Sequence, residues 1–340
     1  MLHLLTEQLT WTNFAIFCAV AVALLLFVLV WVMLEIYFER KILGAMQFRI
    51  GPNRVGPFGL LQSAADVFKL LIKEDTIPRK AEKQLFVFAP ILTFLPSFSI
   101  MAVLPYADGF LHADINVGLL YALSLSGIST VGIILAGWSS NNKYALIGGM
   151  RSAAQMISYE IPIIISVVGV VMMTGSMNIR LIVEGQAGYF WNWNFLPQII
   201  GFVVFVIASV SELNRTPFDL PEAESELVAG YHVEYSGFRF AFYMLAEYIY
   251  MFVFSALIVL IFLGGWNAPF PQLDFIPDVI WFLIKVCCII FFLIWLRATL
   301  PRVRLDQLMG LGWKVLLPLS LLNIFVTAAY MGIKSWIIGG

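Results

Sequence analysis

The sequence is poor in charged residues. Only 12% of its 340 residues are Asp, Glu, Lys or Arg, whereas soluble domains carry about 25%. Hydrophobic residues make up 61%, which is more apolar surface than a soluble chain of this size could hide from water. This composition excludes a soluble enzyme, a disordered protein and a basic nucleic-acid binder. It predicts an all-α polytopic membrane protein.

Cysteine and histidine are also scarce. The three cysteines, Cys18, Cys287 and Cys288, lie in apolar runs and show no CxxC or metal-ligand spacing, so we interpret them as packing residues. The three histidines are scattered, and the sequence contains neither a Walker loop nor a dinucleotide glycine fingerprint. We therefore expect this chain to hold no metal, flavin or other redox cofactor of its own.

Long apolar runs are what the sequence has instead. A helix needs about 20 mostly apolar residues to cross a bilayer, and eight stretches meet this requirement. We expect one domain over residues 1–340, because the sequence shows no internal repeat and no Gly/Ser linker. The first run lacks the charged start and cleavage site of a removable signal peptide. The predicted spans are about 11–37, 85–105, 117–138, 154–174, 196–210, 242–264, 279–296 and 313–336.

Positive charge alternates along the seven connecting loops. In chain order the loops contain nine, zero, two, one, two, zero and three Lys and Arg residues. Loops rich in Lys and Arg stay on the inner side of a membrane. We therefore expect the odd-numbered loops to be cytoplasmic and both termini to lie on the outer side. The expected setting is a bacterial plasma membrane, with an organellar inner membrane as the alternative.

The first loop contains a segment that we expect to lie along the membrane surface. Four polar residues within 58–74 recur at helical spacing and form one stripe: Gln62, Asp66, Lys69 and Lys73. Two interpretations of this helix remain open: it is a plain amphipathic anchor, or it covers a lipid-facing entrance. The preceding turn displays Arg49 and Arg54 near the lipid headgroups. Two interpretations of these arginines remain open: they bind lipid phosphate, or they belong to a simple turn.

Charged residues inside the predicted spans are few. We single out Glu35, Glu160, Glu247 and Lys285 inside the spans, together with Glu212 at the end of the fifth span. A charge at the centre of a membrane costs at least about 2.5–3.5 kcal/mol, so such residues face the bundle interior or water and usually mark ion or proton routes. A structural ion pair, such as Glu247 with Lys285, is the alternative.

The fifth loop is strongly acidic. Between Glu212 and Arg239 it carries six acidic residues: Glu212, Asp219, Glu222, Glu224, Glu226 and Glu234. Only Arg215 and Arg239 oppose them, which leaves a local net charge of −4. One interpretation is a solvated acidic face. The other is a proton-collecting patch that passes protons to Glu160 and Glu247. The neighbouring carboxylates of this patch would titrate as a set.

Two classes of function remain open on these residues alone. One is a secondary transporter that works by itself, and the other is a proton- or quinone-handling subunit bound to a redox partner. A transporter more often shows symmetric halves and a site at the midplane. Here the polar features gather at one membrane face, around loops one and five, which favours a docking surface and a site reached from the membrane.

Several motifs in these loops resemble those of the H/1 membrane-subunit family of respiratory complex I. The first loop carries ERKILG at 39–44, RIGPNRVG at 49–56, Asp66 and KED at 73–75. The third loop and fourth span carry AGWSSNNKY at 136–144, Arg151, Gln155 and SYE at 158–160. The fifth loop and sixth span carry RTPFD at 215–219, PEAESE at 221–226, EYSG at 234–237 and AEY at 246–248. The last loop carries RATLPR at 297–302 and Asp306-Gln307.

The resemblance implies a membrane subunit of proton-pumping NADH:quinone oxidoreductase. In that family the chain docks the peripheral arm and forms much of the quinone channel, while partner subunits carry FMN and iron–sulfur clusters. By position, the residues along the quinone passage are Arg40, Arg49, Arg54 and Asp66. The coupling loop comprises Glu212, Arg215, Asp219, Glu222, Glu224 and Glu226. The proton route begins at Glu160 and Glu247, and Glu35 and Lys285 join it only on the grounds of their intramembrane charge.

The implied partners are the peripheral-arm subunits at the quinone site, adjacent small membrane subunits, the bilayer and quinone, with no nucleic acid. No catalytic residue is expected in this chain alone. One alternative is the anchoring subunit of a membrane-bound hydrogenase or formate hydrogenlyase, against which the intact motifs at 49–56 and 221–226 argue. A remote alternative is an independent cation/proton antiporter.

Overall fold

The structure is a computed structural model that describes residues 11–108, 114–220, 228–273 and 275–338. Within these ranges all regular secondary structure is helical and no β-strand occurs. The predicted coupling residues Glu222, Glu224 and Glu226 lie outside the described residues. The all-α architecture predicted from composition is therefore confirmed for the part of the chain described.

Eleven α-helices follow one another along the described parts of the chain. They are α1 (Trp11–Met46), α2 (Gln62–Ile72), α3 (Lys83–Met101), α4 (Gly118–Ser139), α5 (Lys143–Thr174), α6 (Ile179–Glu184), α7 (Ile199–Glu212), α8 (Gly237–Phe262), α9 (Asp278–Thr299), α10 (Leu305–Gly310) and α11 (Leu317–Ile338). A π-helical turn, Leu311–Leu316, joins α10 to α11 into one continuous rod.

Seven helices are long and apolar enough to cross a membrane. They are α1, α3, α4, α5, α8, α9 and the rod Leu305–Ile333. The predicted span at 196–210 corresponds to α7, an apolar helix of 14 residues. At 1.5 Å per residue α7 is about 21 Å long, shorter than the roughly 30 Å hydrocarbon core. A polytopic membrane protein is thus confirmed, with seven long spans in the described residues and α7 as a short eighth apolar helix.

Helix α5 begins well before the predicted boundary at residue 154. Its first residue is Lys143, and the Asn142 side chain caps it by accepting a hydrogen bond from the Tyr144 amide. The polar residues that suggested a loop are accommodated within the first turns of this long helix. Hydropathy marks the apolar part of a helix, and a cap marks where the helix begins.

Helix α2 is shorter than the predicted segment 58–74. Residues Pro57–Gly59 form a separate 3₁₀ turn, and Lys73 has an extended backbone, so Lys73 lies beyond the helical polar stripe. Gly59 has φ +83°, and a Cβ there would lie 2.2 Å from the Pro52 carbonyl oxygen, so the turn requires glycine. This turn sets where α2 begins.

Helix α8 forms the centre of the bundle. Its side chains from Met251 to Phe262 are almost fully buried, and it packs against α1, α3, α7 and α9. Helices α1, α9 and α11 instead expose many large apolar side chains, as expected of surfaces covered by lipid or partner chains. Cys18, Cys287 and Cys288 are exposed, so interpreting them as packing residues of this chain was wrong.

Candidate functional site

Four charged side chains meet where α1, α8 and α9 approach the end of α7. We call Glu39, Arg215, Glu247 and Arg297 the Glu39 cluster. Arg215 Nη1 donates to Glu39 Oε2 at 2.7 Å, and Arg215 Nε lies 2.9 Å from Glu247 Oε1. Arg297 donates to the other carboxylate oxygen of Glu39. The Arg215 guanidinium also stacks over the Tyr248 ring at 4.5 Å.

Burial makes this cluster unusual. Glu39 is 2% exposed and Arg215 is 6% exposed, so both charges are removed from water. Burial lowers the pKa of the Arg215 guanidinium, but the Glu39 and Glu247 carboxylates outweigh it and hold that pKa well above its ordinary value. Two arginines oppose two glutamates, and buried charges persist in proteins when they are paired in this way.

The loop that follows α7 is fixed against neighbouring helices. The Gln155 amide on α5 donates to the carbonyls of Ser211 at 2.7 Å and Phe218 at 2.8 Å. Arg302 Nη2 donates to Asp219 Oδ2 at 2.9 Å. Burial raises the pKa of Asp219, although Arg302 opposes this effect. Contacts from Gln155 and from Arg302 therefore hold the loop in place, and the loop positions Arg215 beside Glu39 of α1.

Glu212 ends α7 as a buried carboxylate. It is 5% exposed, and neither of its carboxylate oxygens has a hydrogen-bond partner among the described residues. It lines a cavity of about 30 Å³ together with Glu247, Tyr243 and Tyr250. A cavity of this size has room for one or two water molecules. The structure thus brings Glu212 and Glu247 to the same small cavity.

Glu160 on α5 lies near Glu212, close enough for its charge to act on that carboxylate. Its side chain occupies space opened by Gly127 on α4. A Cβ at Gly127 would lie 2.6 Å from Glu160 Oε1. The glycine is therefore what allows the Glu160 carboxylate to sit against α4.

Glu35 lies one helical turn before Glu39 on α1. It is 4% exposed, and neither of its oxygens has a hydrogen-bond partner among the described residues. The predicted residues Glu35, Glu160, Glu212 and Glu247 lie on α1, α5, α7 and α8, where Glu35 is close enough to interact with the charge of Glu247, and Glu212 with that of Glu160.

Lys285 is not brought together with these glutamates. Its ammonium donates to the carbonyls of Leu263, Gly265 and Asn267 at 2.7–3.0 Å, and it lies 4.1 Å from the Trp193 ring. Leu263 follows Glu247 by 16 residues, about 24 Å along α8. Glu247 therefore pairs with Arg215, and the alternative pair with Lys285 was wrong. Lys285 instead satisfies the carbonyls at the far end of α8.

The first loop places two of its four predicted residues in direct contact. Arg40 Nη1 on α1 donates to Asp66 Oδ2 on α2 at 2.6 Å, and the Gln62 amide also donates to Asp66. Arg49 and Arg54 are exposed in the turn between α1 and α2. The pair with Asp66 fixes α2 beside the end of α1.

Comparison with known proteins decides which family this arrangement belongs to. A family model described as NADH dehydrogenase matches residues 19–328. The chain is 58% identical over 332 residues to the NADH-quinone oxidoreductase H subunit of Brevibacillus brevis, covering 98% of each chain. It is 59% identical over 329 residues to the protein of the same name from a Geobacillus species, covering 96% of this chain and 98% of the relative. The chain belongs to the NADH-quinone oxidoreductase H subunit family.

As a member of the H subunit family, the chain is a membrane component of an oxidoreductase complex and has other subunits of that complex as partners. The family resemblance carried by the loop motifs is therefore confirmed. The names of the relatives agree with the quinone enzyme rather than with a hydrogenase anchor or an independent antiporter. Among the described residues, no group of three or more His, Cys, Asp and Glu side chains is arranged to hold a metal ion.

Sequence reasoning did not select two members of the Glu39 cluster. Glu39 and Arg297 appeared only inside the family motifs. A signal for Glu39 was present, because it follows Glu35 by four residues and so shares its helical face in α1. Arg297 carried no comparable signal, since its partner lies 258 positions away and only the fold brings the two together.

Proposed function

We propose that this protein forms part of the quinone channel, docks the peripheral arm, and couples quinone reduction to proton movement. The observation that carries the proposal is the Glu39 cluster. It is a set of paired charges, buried at Glu39 and Arg215, and its Glu247 shares a cavity with Glu212. Clusters of buried charge of this kind are concentrated at functional sites, and charges within membrane spans usually mark ion or proton routes.

The quinone passage runs along the ends of α1 and α2 in this proposal. Helix α2 lies at the membrane surface and roofs the entrance, with Arg40 and Asp66 bracing it through their 2.6 Å contact. Arg49 and Arg54 face the headgroup path from the exposed turn. The apolar tail of a quinone suits a lipid-facing groove, and its carbonyl groups suit nearby hydrogen-bond donors.

Proton coupling uses the acidic residues. Quinone reduction takes up protons and changes charge near the loop after α7. Through Arg215, such a change acts on Glu39 and Glu247, and through the shared cavity it acts on Glu212. The charge of Glu212 in turn acts on Glu160. Glu35 lies beside this route. The acidic residues Glu222, Glu224 and Glu226 extend the coupling loop. Lys285, about 24 Å away along α8, is left out of the route.

The topology belongs to the same proposal. Helix α7 is an eighth, short span, which gives an even number of crossings and places both termini on the outer side of a bacterial plasma membrane. The inner face then carries the Glu39 cluster and loops one, three and five. Peripheral-arm subunits with FMN and iron–sulfur clusters dock on that face.

Arg215 provides the test of the proposed function. In the assembled complex, Arg215→Met leaves Glu39 and Glu247 without their shared cation. We expect NADH:quinone activity to fall about tenfold or more, equivalent to about 1.4 kcal/mol in the barrier. NADH oxidation by ferricyanide, which does not need the membrane arm, should stay unchanged.

Two further variants make that test specific. Arg215→Lys keeps the positive charge and should recover part of the quinone activity. Arg180→Met removes an exposed arginine that pairs with Glu184 and Asp108, and it should behave like the unmodified complex. Full, proton-coupled quinone reduction by an assembled Arg215→Met complex would contradict the proposal.

A further inference from the structure

A second feature of the inner face lies away from the Glu39 cluster. Helix α4 ends at Ser139, α5 begins at Lys143, and α3 begins at Lys83. A cleft of about 450 Å³ lies between these three helix ends, which we call the α3–α5 cleft. Its lining includes Lys80, Glu82, Trp138, Asn141, Lys143 and Leu146. Because all three helices are candidate membrane spans, the cleft lies at the depth where the spans leave the membrane.

The backbone around the cleft is held in place by contacts between loops. The side-chain amide of Asn141 donates to the backbone carbonyl of Lys80 at 3.0 Å. The backbone N–H of Glu82 donates to the backbone carbonyl of Ser139 at 3.0 Å. The Asn142 amide donates to Glu234 Oε1 at 2.6 Å. The two lysines on opposite sides of the cleft are therefore carried by segments that are tied together.

The cleft combines free positive charge with apolar surface. Lys80 and Lys143 are exposed, and neither forms an ion pair with any residue that the structure describes. Trp138 is 64% exposed and Leu146 is 39% exposed beside them. Among the described residues, Glu82 contributes the one carboxylate that lines the cleft. A cationic rim above an exposed indole at headgroup depth matches an amphiphile with an anionic head.

We propose that the α3–α5 cleft binds the headgroup of an anionic phospholipid whose head also carries hydroxyl groups, as phosphatidylglycerol does. Lys80 and Lys143 hold the phosphodiester, and the Glu82 carboxylate accepts hydrogen bonds from the head hydroxyls. Trp138 and Leu146 contact the glycerol backbone and the first acyl carbons. Basic pockets between spans on the inner side are the usual place for such lipids.

A lipid fits the cleft better than an acidic segment of a protein. The exposed Trp138 and Leu146 lie on helices that are long and apolar enough to cross a membrane, so we expect lipid beside them. A water-soluble acidic segment would leave this apolar wall without a partner. Glu82 would repel a second carboxylate, whereas it gives a hydroxyl-bearing lipid head an acceptor.

The experiment uses the whole complex, stripped of endogenous lipid and placed in phosphatidylcholine nanodiscs with a small fraction of photoactivatable phosphatidylglycerol. Labelled peptides are mapped by mass spectrometry. We expect the wild-type chain to be labelled around residues 137–150. Apparent affinity should fall about fivefold for Lys80→Gln or Lys143→Gln and about thirtyfold for both, the scale expected for a lysine at an anionic membrane surface.

Lys314→Gln is the matched control, because Lys314 is an exposed lysine outside the cleft and should leave the labelling unchanged. Equal labelling in the double variant and wild type would overturn the proposal. So would displacement of the lipid by an equal concentration of glycerol 3-phosphate, which would make the cleft a general anion site. Loss of soluble subunits from the double variant with lipid labelling intact would identify a protein-docking cleft and also overturn it.

Discussion

Glu39 and Arg215 show how single residues carry the chemistry of this protein. Each is buried, and each would be costly alone, but together with Glu247 and Arg297 they neutralise one another. Glu212 and Glu35 differ, because their carboxylates have no hydrogen-bond partner in the described residues. The paired charges hold α1, α8, α9 and the loop after α7 together. The unpaired carboxylates are the ones positioned to exchange protons in the proposed function.

Gly127 provides a prediction at this scale. The substitution Gly127→Ala places a Cβ 2.6 Å from Glu160 Oε1, so the carboxylate must move. If Glu160 lies on the proton route, quinone-linked proton translocation should fall about tenfold, since small displacements of functional groups have effects of this order. The readout is acidification inside proteoliposomes. Gly310→Ala is the control, because nothing lies within 4 Å of its added Cβ, and an equal loss in both variants would contradict this role for Glu160.

His232 gives a prediction about pH. Burial lowers the pKa of His232 from 6.5 to about 4. As pH falls from 6.5 towards 4, the unfolded chain takes up a proton that the folded chain does not, so the folded state loses roughly 3 kcal/mol across that window. The thermal midpoint of the complex should therefore decline more steeply with acid than that of a His232→Asn variant. Parallel declines would show that His232 does not titrate in this way.

At the scale of helices, Lys285 defines the far end of α8. Three backbone carbonyls depend on its ammonium. Lys285→Met keeps the length of the side chain but leaves these carbonyls unsatisfied, which should lower stability by about 2 kcal/mol. We expect a lower thermal midpoint with quinone activity per assembled complex preserved. Lys314→Met, at an exposed site, should change neither quantity. A specific loss of proton pumping in Lys285→Met at normal stability would instead return Lys285 to the proton route.

Helix ends were the least predictable part of the fold. The apolar centres of the spans follow directly from hydropathy, and each of the seven long helices overlaps a predicted span over most of its length. The start of α5 at Lys143 and the break before α2 at Gly59 depend on a cap and a left-handed turn. The Asn142 cap is a local signal in the sequence, but hydropathy does not score it. The close approach of Gly59 to the Pro52 carbonyl appears only once the backbone of the turn is known.

For the whole molecule, the distribution of charge was more informative than its amount. The acidic residues inside spans could be selected from the sequence because a charge in an apolar run is conspicuous. Their pairing could not, because Glu39 meets Arg215 and Arg297 across 176 and 258 positions of chain. Lys285 shows the converse, since an intramembrane charge that suggested a proton route is bonded to backbone carbonyls at the opposite end of α8.

Glu212 offers the most direct measurement of the central claim, that quinone reduction is coupled to protons through the buried carboxylates. Glu212→Gln keeps the shape of the side chain and breaks no ion pair with a residue that the structure describes, so the complex should assemble. In proteoliposomes we expect the number of protons translocated per electron passed to quinone to fall, while ferricyanide reduction stays normal. Glu184→Gln, an exposed glutamate paired with Arg180, should keep the normal ratio. An unchanged ratio in the Glu212→Gln complex would contradict the claim.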